Sequence, residues 1–93
     1  MSITITKINR DKYKVTIHKG VVSTHIVAIS DEIHSQFTEN KISKEQFLKK
    51  TFLFLLQREA NTEILEEFNI EIITKYFPEF SKIGKIGWID VSG

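Results

Sequence analysis

The sequence predicts a small α+β domain in which an N-terminal three-stranded antiparallel meander is followed by three to four helices packed on one face of the sheet. Apolar and polar residues alternate over 1–30, which is the period of half-buried strands. Over 31–80 the apolar residues recur at helical spacing and follow side chains that cap helices. A chain of 93 residues has room for one domain with one modest core. We therefore expect a meander over 1–30, a helical part over 31–80 and a tail over 81–93.

Three strands are predicted within the meander. The first alternates isoleucine with threonine over 3–6, and the second alternates apolar with polar residues over 13–18. The third, 24–29, ends in four successive apolar residues, which is typical of a strand buried on both faces at the centre of a sheet. Short turns separate these runs, and strands joined by short turns are usually neighbours. An antiparallel meander is the simplest topology that satisfies this pattern.

The longest predicted helix covers 42–59 and begins with a strong capping signal. Ser43 is placed to cap it, and Gln46 three residues later completes a capping box. On a helical wheel the apolar residues form a wide arc, so the helix should be covered on two sides. This arc contains Phe47, Leu48, Thr51, Phe52, Phe54, Leu55 and Leu56. Leu53 lies alone on the polar side and is a candidate contact for a partner.

Arg58 and Glu59 fall within the apolar arc of the same predicted helix. An unpaired charge is costly to bury, so each residue should have a partner. We expect a structural charge pair, or a bond to the exposed backbone groups of a neighbouring helix end. The alternative is a charge pair that faces a ligand.

Two shorter helices are predicted before and after this one. Ser30 is placed to cap the first, with two acidic residues in its first turn, where acids suit the helix dipole. Asn69 is placed to cap the last. That helix should end at Pro78, because the residue before a proline is displaced from the α region.

A further short helix is predicted just after the longest one. Asn61 or Thr62 is placed to cap it. Its apolar side chains would be Ile64, Leu65 and Phe68. The tail that ends the chain is expected to be a short C-terminal strand, an extended arm or partly disordered.

Composition limits the functional classes. The chain has no cysteine, which excludes disulfides, thiolate nucleophiles and thiolate metal ligands. Its N-terminus lacks the continuous apolar segment of a signal peptide, and the longest apolar run, 52–56, is too short to cross a bilayer. We therefore expect a cytoplasmic protein without membrane contact. Charge is uneven, with a balance of +4 over 1–30, zero over 31–60 and −3 over 61–93, so the basic end could steer an anionic partner.

Signals for catalysis or metal binding are weak. The three histidines, His18, His25 and His34, do not have metal-ligand spacing. An acidic cluster on short helices is expected to be a solvated face, and it contains Glu63, Glu66, Glu67 and Glu71. The sequence therefore predicts no cofactor and favours a protein that is not an enzyme.

An aromatic cluster surrounds the predicted end of the last helix. It contains Tyr76, Phe77, Pro78 and Phe80, and Trp88 follows in the tail. Aromatic residues often only fill a core, but part of this cluster could form an exposed patch. Leu53, Tyr76, Phe80 and Trp88 are therefore the candidate interaction surface, for a protein partner or for a second copy of the chain. Self-association would also help to stabilise so small a core.

Three segments resemble the patterns of a known family. The chain reads TFLFLLQREA, then ILEEF, then YFPEF. These segments are similar to the SFxFLLxREP, ILxxF and YFPEY patterns of a family of short uncharacterised bacterial proteins. The resemblance covers 25–80 and departs at Thr51, where the family usually has serine, and at Ala60, where it usually has proline. It implies a shared fold and brings no assigned activity.

Two other interpretations compete with a non-catalytic interaction or self-associating module. A strand over 25–29, a short helix and a longer helix follow the order of a ribbon-helix-helix repressor, which would be a DNA-binding dimer. Against this, the first helix is about a turn short, two strands precede the ribbon, and the strand has no alternating basic face. Nucleic acid is therefore not the expected partner. The third interpretation, a small enzyme or ligand-binding domain, needs a pocket that gathers acids or histidines far apart in sequence.

Overall fold

The computed structural model describes residues 2–78 and has the predicted α+β class. Its sheet has four strands in the order β1-β2-β3-β4. The first three are β1 (Ser2–Asn9), β2 (Lys12–Lys19) and β3 (Val21–Ala28), and they pair antiparallel in succession. The predicted meander is confirmed, although β3 begins three residues before the predicted start at 24.

Two helices follow the meander, α1 (Asp31–Thr38) and α2 (Lys44–Leu56). The Ser30 hydroxyl accepts a bond from a backbone N–H in the first turn of α1. Ser43 and Gln46 form the predicted capping box, with both reciprocal bonds present. The capping residues in the sequence therefore predicted the starts of both helices correctly.

The short helix predicted after α2 is wrong. Asn61–Glu63 is a single turn of 3₁₀ helix, and Glu67–Asn69 is a strand, β4. Ile64 and Phe68 are both buried, and their spacing of four residues fits a helix. It equally fits an extended chain in which every second side chain faces inward, so the spacing alone did not distinguish the two.

β4 enters the sheet by parallel pairing with β3. The N–H of Ile26 donates to the carbonyl of Glu66 over 2.7 Å, and the N–H of Ile70 donates to the carbonyl of Ala28 over 2.9 Å. Parallel neighbours need a long crossover connection, which α1 and α2 supply. The fourth strand therefore comes from the part predicted to be helical, and the predicted tail strand lies outside the described residues.

The last described helix, α3 (Ile72–Tyr76), ends where the proline predicted it. Phe77, the residue before Pro78, has φ −134° and ψ 81° and so lies outside the α region. The predicted Asn69 cap is wrong: no described side chain caps α3, and the Asn69 side chain instead accepts from the N–H of Glu71 over 3.0 Å in the preceding turn.

The core lies on one face of the sheet. The inward side chains of β2 and β3 include Tyr13, Val15, Ile17, His25 and Val27. The helices cover this face, and six of the seven residues in the apolar arc of α2 are buried. The other face of the sheet is exposed or half-buried within the described part of the chain. Among the described helices, none has the length and apolar character needed to span a membrane.

Candidate interaction site

An apolar groove lies where α3 packs beside the end of α2. Its volume is about 470 Å³. The apolar residues that line it are Leu55, Ile64, Leu65, Phe68, Ile72, Ile73, Tyr76 and Phe77. Glu59 and Glu63 also line it. We call this concavity the α3 groove.

The α3 groove has a buried floor and an exposed rim. The floor belongs to the core and contains Leu55, Ile64, Phe68 and Ile73. On the rim, Leu65 is 46% exposed and Tyr76 is 64% exposed. Large exposed apolar and aromatic side chains beside a concavity are typical of the centre of a protein interface.

The charge on the groove is of one sign. Among its described lining residues, Glu59 and Glu63 carry charge and none is a cation. The described stretch that supplies most of the lining, 61–78, also contains four glutamates and one lysine. The described lining of the groove is therefore acidic as well as apolar.

Arg58 lies at the end of α2, next to the groove. Because the helix ends at Leu56, Arg58 and Glu59 follow it and are not part of its apolar arc. The guanidinium carbon lies 3.8 Å from the centroid of the Phe54 ring, and Nη1 donates to the Phe54 carbonyl over 3.4 Å. A cation is favourable at the carbonyl end of a helix and over an aromatic face. Glu59 faces the groove instead, and a charge pair between the two residues stays a prediction.

The four candidate surface residues do not share one described site. Tyr76 lines the α3 groove. Leu53 is 38% exposed on α2 and is not among the described lining residues of the groove. Phe80 and Trp88 lie outside the described residues. Leu65 was missed because it was assigned to a helix that does not form.

A buried polar network ties β3 to the segment that carries the groove. His25 is 1% exposed; its Nδ1 lies 2.7 Å from the Leu65 carbonyl and its Nε2 lies 2.8 Å from the Ser23 hydroxyl. A carbonyl oxygen only accepts, so Nδ1 donates, and in the neutral ring Nε2 accepts from Ser23. Asn61 Nδ2 donates to Ser23 Oγ over 2.9 Å and to the Val21 carbonyl over 2.8 Å.

The hydrogen-bonding groups of the His25 ring and the Ser23 hydroxyl find their partners within this network. Each ring nitrogen of His25 has a partner, and the Ser23 hydroxyl both donates and accepts. A second cavity of about 360 Å³ adjoins these residues. A hydrogen-bonded serine and histidine can support nucleophilic chemistry. Here the centroid of the His25 ring lies 5.5 Å from that of the Phe52 ring. The hydrogen bonds of His25 also join β3 to the segment around Leu65, so a structural role is favoured.

The other histidines are separate from this network. His18 pairs with Val22 across β2 and β3, and side chains alternate along a strand, so His18 and His25 lie on opposite faces. His34 donates from Nε2 to the Ile42 carbonyl over 2.6 Å. Within residues 2–78, no three metal-ligating side chains come together. All four glutamates of the acidic cluster are exposed.

A second charged cluster joins the start of α1 to the start of α2. Lys44 Nζ lies 2.7 Å from the Asp31 carboxylate and donates to the Arg10 carbonyl over 2.8 Å. Arg10 also binds Asp31, with 2.7 Å between Nη2 and the carboxylate. The hydrogen bonds from Lys44 and then from Arg10 lower the pKa of Asp31. This cluster holds the two helix starts against the turn between β1 and β2.

The strand required by the ribbon-helix-helix interpretation is not open to a partner. β3 pairs with β2 on one side and with β4 on the other. A ribbon forms when this strand pairs with the same strand of a second protomer. Neither edge of β3 is available for that pairing.

No protein-family model, curated protein or solved structure matches this chain. The resemblance to short bacterial proteins therefore stays a prediction from the sequence.

Proposed function

We propose that this protein is a non-catalytic interaction module whose α3 groove binds a segment of a partner protein. The segment presents an apolar side chain to the groove and a lysine or arginine to its rim. The observation that supports this most directly is the exposure of Tyr76 and Leu65 beside a concavity of about 470 Å³. Protein pockets that bind ligands fall between about 300 and 1,000 Å³. A cytoplasmic location, as the composition suggests, is part of this proposal.

The energetics favour a segment with both apolar and cationic groups. Apolar side chains that leave water for the groove supply affinity, since burial is favourable by about 25 cal/mol per Å². A cation opposite Glu59 and Glu63 adds specificity and association rate more than affinity. Binding should therefore weaken moderately with added salt and strongly with loss of the apolar rim.

A selection from a random peptide library tests the proposal. Peptides that bind the wild-type protein should combine apolar residues with lysine or arginine. Their dissociation constants, measured by fluorescence anisotropy, should rise at least about tenfold in Leu65→Glu and in Tyr76→Glu. Both side chains are exposed, so both variants should keep the wild-type circular dichroism spectrum.

Ile8→Glu is the matched control. Ile8 is also an exposed apolar residue, but it lies on β1, whereas the strand that lines the groove is β4 at the other end of the sheet. Peptide affinity should be the same in this variant as in wild type. Selected peptides that bind Leu65→Glu and Tyr76→Glu as tightly as wild type would remove the groove from the proposal.

Self-association through Leu53, Tyr76, Phe80 and Trp88 is the second candidate function. The exposure of Leu53 and Tyr76 supports it. If this surface forms an oligomer, Leu53→Lys should lower the mass measured by light scattering without changing the fold. An oligomer whose mass is unchanged by Leu53→Lys would exclude that residue from the contact.

A further inference from the structure

β1 is an edge strand whose first five residues, 2–6, pair with β2 in an unbroken register. Among the described residues it has a neighbour on one side, β2. The register shift lies between Lys7 and Asn9. Edge strands usually carry a charge, a proline or a bulge that prevents pairing with another chain. The stretch 2–6, SITIT, has none of these features.

The core is incompletely covered beside this edge. Ile3 and Ile5 pack against the core but are only half-buried. Their partners on β2 are Ile17 and Val15, which are fully buried. An added strand beyond β1 would place further side chains beside the two isoleucines on the core face and so reduce their exposure.

We propose that β1 pairs antiparallel with β1 of a second copy, about a two-fold axis at Thr4. Thr4 then faces Thr4 of the second copy, and Ile3 faces Ile5. The result is one continuous sheet across two copies, in a closed isologous dimer in which the β1 edge of each copy is paired.

The composition of β1 favours a second copy over an unrelated strand. Around Thr4 the stretch is nearly symmetric: Ile3 and Ile5 flank it on the core face, and the hydroxyl residues Ser2 and Thr6 follow on the open face. Thr4 also begins a row with Thr16 and Thr24 across the open face, and the two-fold axis continues that row into the second copy. Lys7 lies beyond the paired stretch, so the register places no like charges opposite one another.

This dimer is distinct from the proposed groove binding. β1 and β4 are the two ends of the sheet, and β4 supplies Phe68 to the α3 groove. A dimer through β1 leaves both grooves accessible. If the proposed groove function holds as well, the dimer is bivalent and binds a partner with two such segments more tightly than one.

Sedimentation of charge variants at position 4 tests the pairing. Wild type should show a concentration-dependent dimer. Thr4→Lys and Thr4→Glu should each raise its dissociation constant about tenfold, because like charges meet at the two-fold axis. An equimolar mixture of the two variants should restore the dimer. Thr4 is exposed, so circular dichroism should be unchanged.

Thr6→Lys is the matched control, since Thr6 is exposed on the same face of β1 but faces Ser2 of the second copy in this register. It should dimerise as wild type does. In a chain without cysteine, Thr4→Cys should form a disulfide-linked dimer on oxidation, and Thr6→Cys should not.

Two results would overturn the pairing. One is a wild type that stays monomeric up to millimolar concentration; the other is a dimer that Thr4→Lys and Thr4→Glu leave intact. Peptide binding to the Thr4→Lys monomer separates this proposal from the groove function, because the groove should bind its peptides with or without the dimer.

Discussion

Replacing His25 with leucine should destabilise the fold by about 2–3 kcal/mol. The substitution keeps an apolar side chain against Phe52 but leaves the Leu65 carbonyl without its donor and the Ser23 hydroxyl without its acceptor. Each such loss costs about 1–3 kcal/mol when the group is buried. The lower part of that range applies here, since Leu65 is partly exposed and water can reach its carbonyl.

Urea unfolding followed by circular dichroism measures this loss. With an m-value of about 1 kcal/mol/M for a chain of this size, the midpoint should fall by about 2 M. Ser23→Ala should cost about 1 kcal/mol. The double variant should cost less than the two single losses together, because both residues belong to one chain of bonds. His18→Leu, on the exposed face of the same sheet, should change stability by less than about 0.5 kcal/mol.

The tautomer of His25 gives an independent check. The bond to the Leu65 carbonyl requires the proton on Nδ1, which long-range ¹H–¹⁵N spectra of the neutral ring can identify. A proton on Nε2 in that state, or a His25→Leu variant that unfolds at the wild-type midpoint, would refute the hydrogen-bond network as described.

Two further predictions concern charge and backbone. The pKa of Asp31 is lowered from 3.8, so its bonds to Lys44 and Arg10 stabilise the fold above that pH, and this stability is lost as the pH falls through the lower folded pKa. Asp31→Asn should therefore be less stable than wild type near neutral pH and should lose less stability on acidification. Urea midpoints measured from pH 7 to pH 2 test this. Gly20 has φ +65°, and nothing lies within 4 Å of an added Cβ. Gly20→Ala should therefore lower the free energy of unfolding by about 1–2 kcal/mol through backbone strain alone, as measured in thermal melts, and Gly20→Asn should lower it less. An alanine variant as stable as wild type would contradict the positive φ.

Local signals in the sequence predicted the parts of the fold that depend on neighbours in sequence. The alternation over 13–18 fixed the inward face of β2, and Ser30, Ser43 and Gln46 fixed the starts of α1 and α2. Each of these features is decided within a few residues, by side-chain period or by a capping bond.

β4 could not be predicted in the same way. It has three residues, and its backbone bonds go to a strand about forty positions earlier. Nothing within 61–70 alone distinguishes that strand from a short helix. The groove was missed with it, because its shape depends on β4 and on where α2 ends. Tyr76 was a candidate surface residue from the sequence, whereas the positions of Leu65 and Glu59 depend on those two features.

Partner binding through the α3 groove is the function proposed for this protein. Titration of ¹⁵N-labelled protein with a peptide selected on wild type tests it most directly, because amide shifts report the position of contact residue by residue. The largest changes should lie at the groove, at Leu65, Ile72 and Tyr76. Changes centred on β1, or on the exposed face of the sheet, would contradict it.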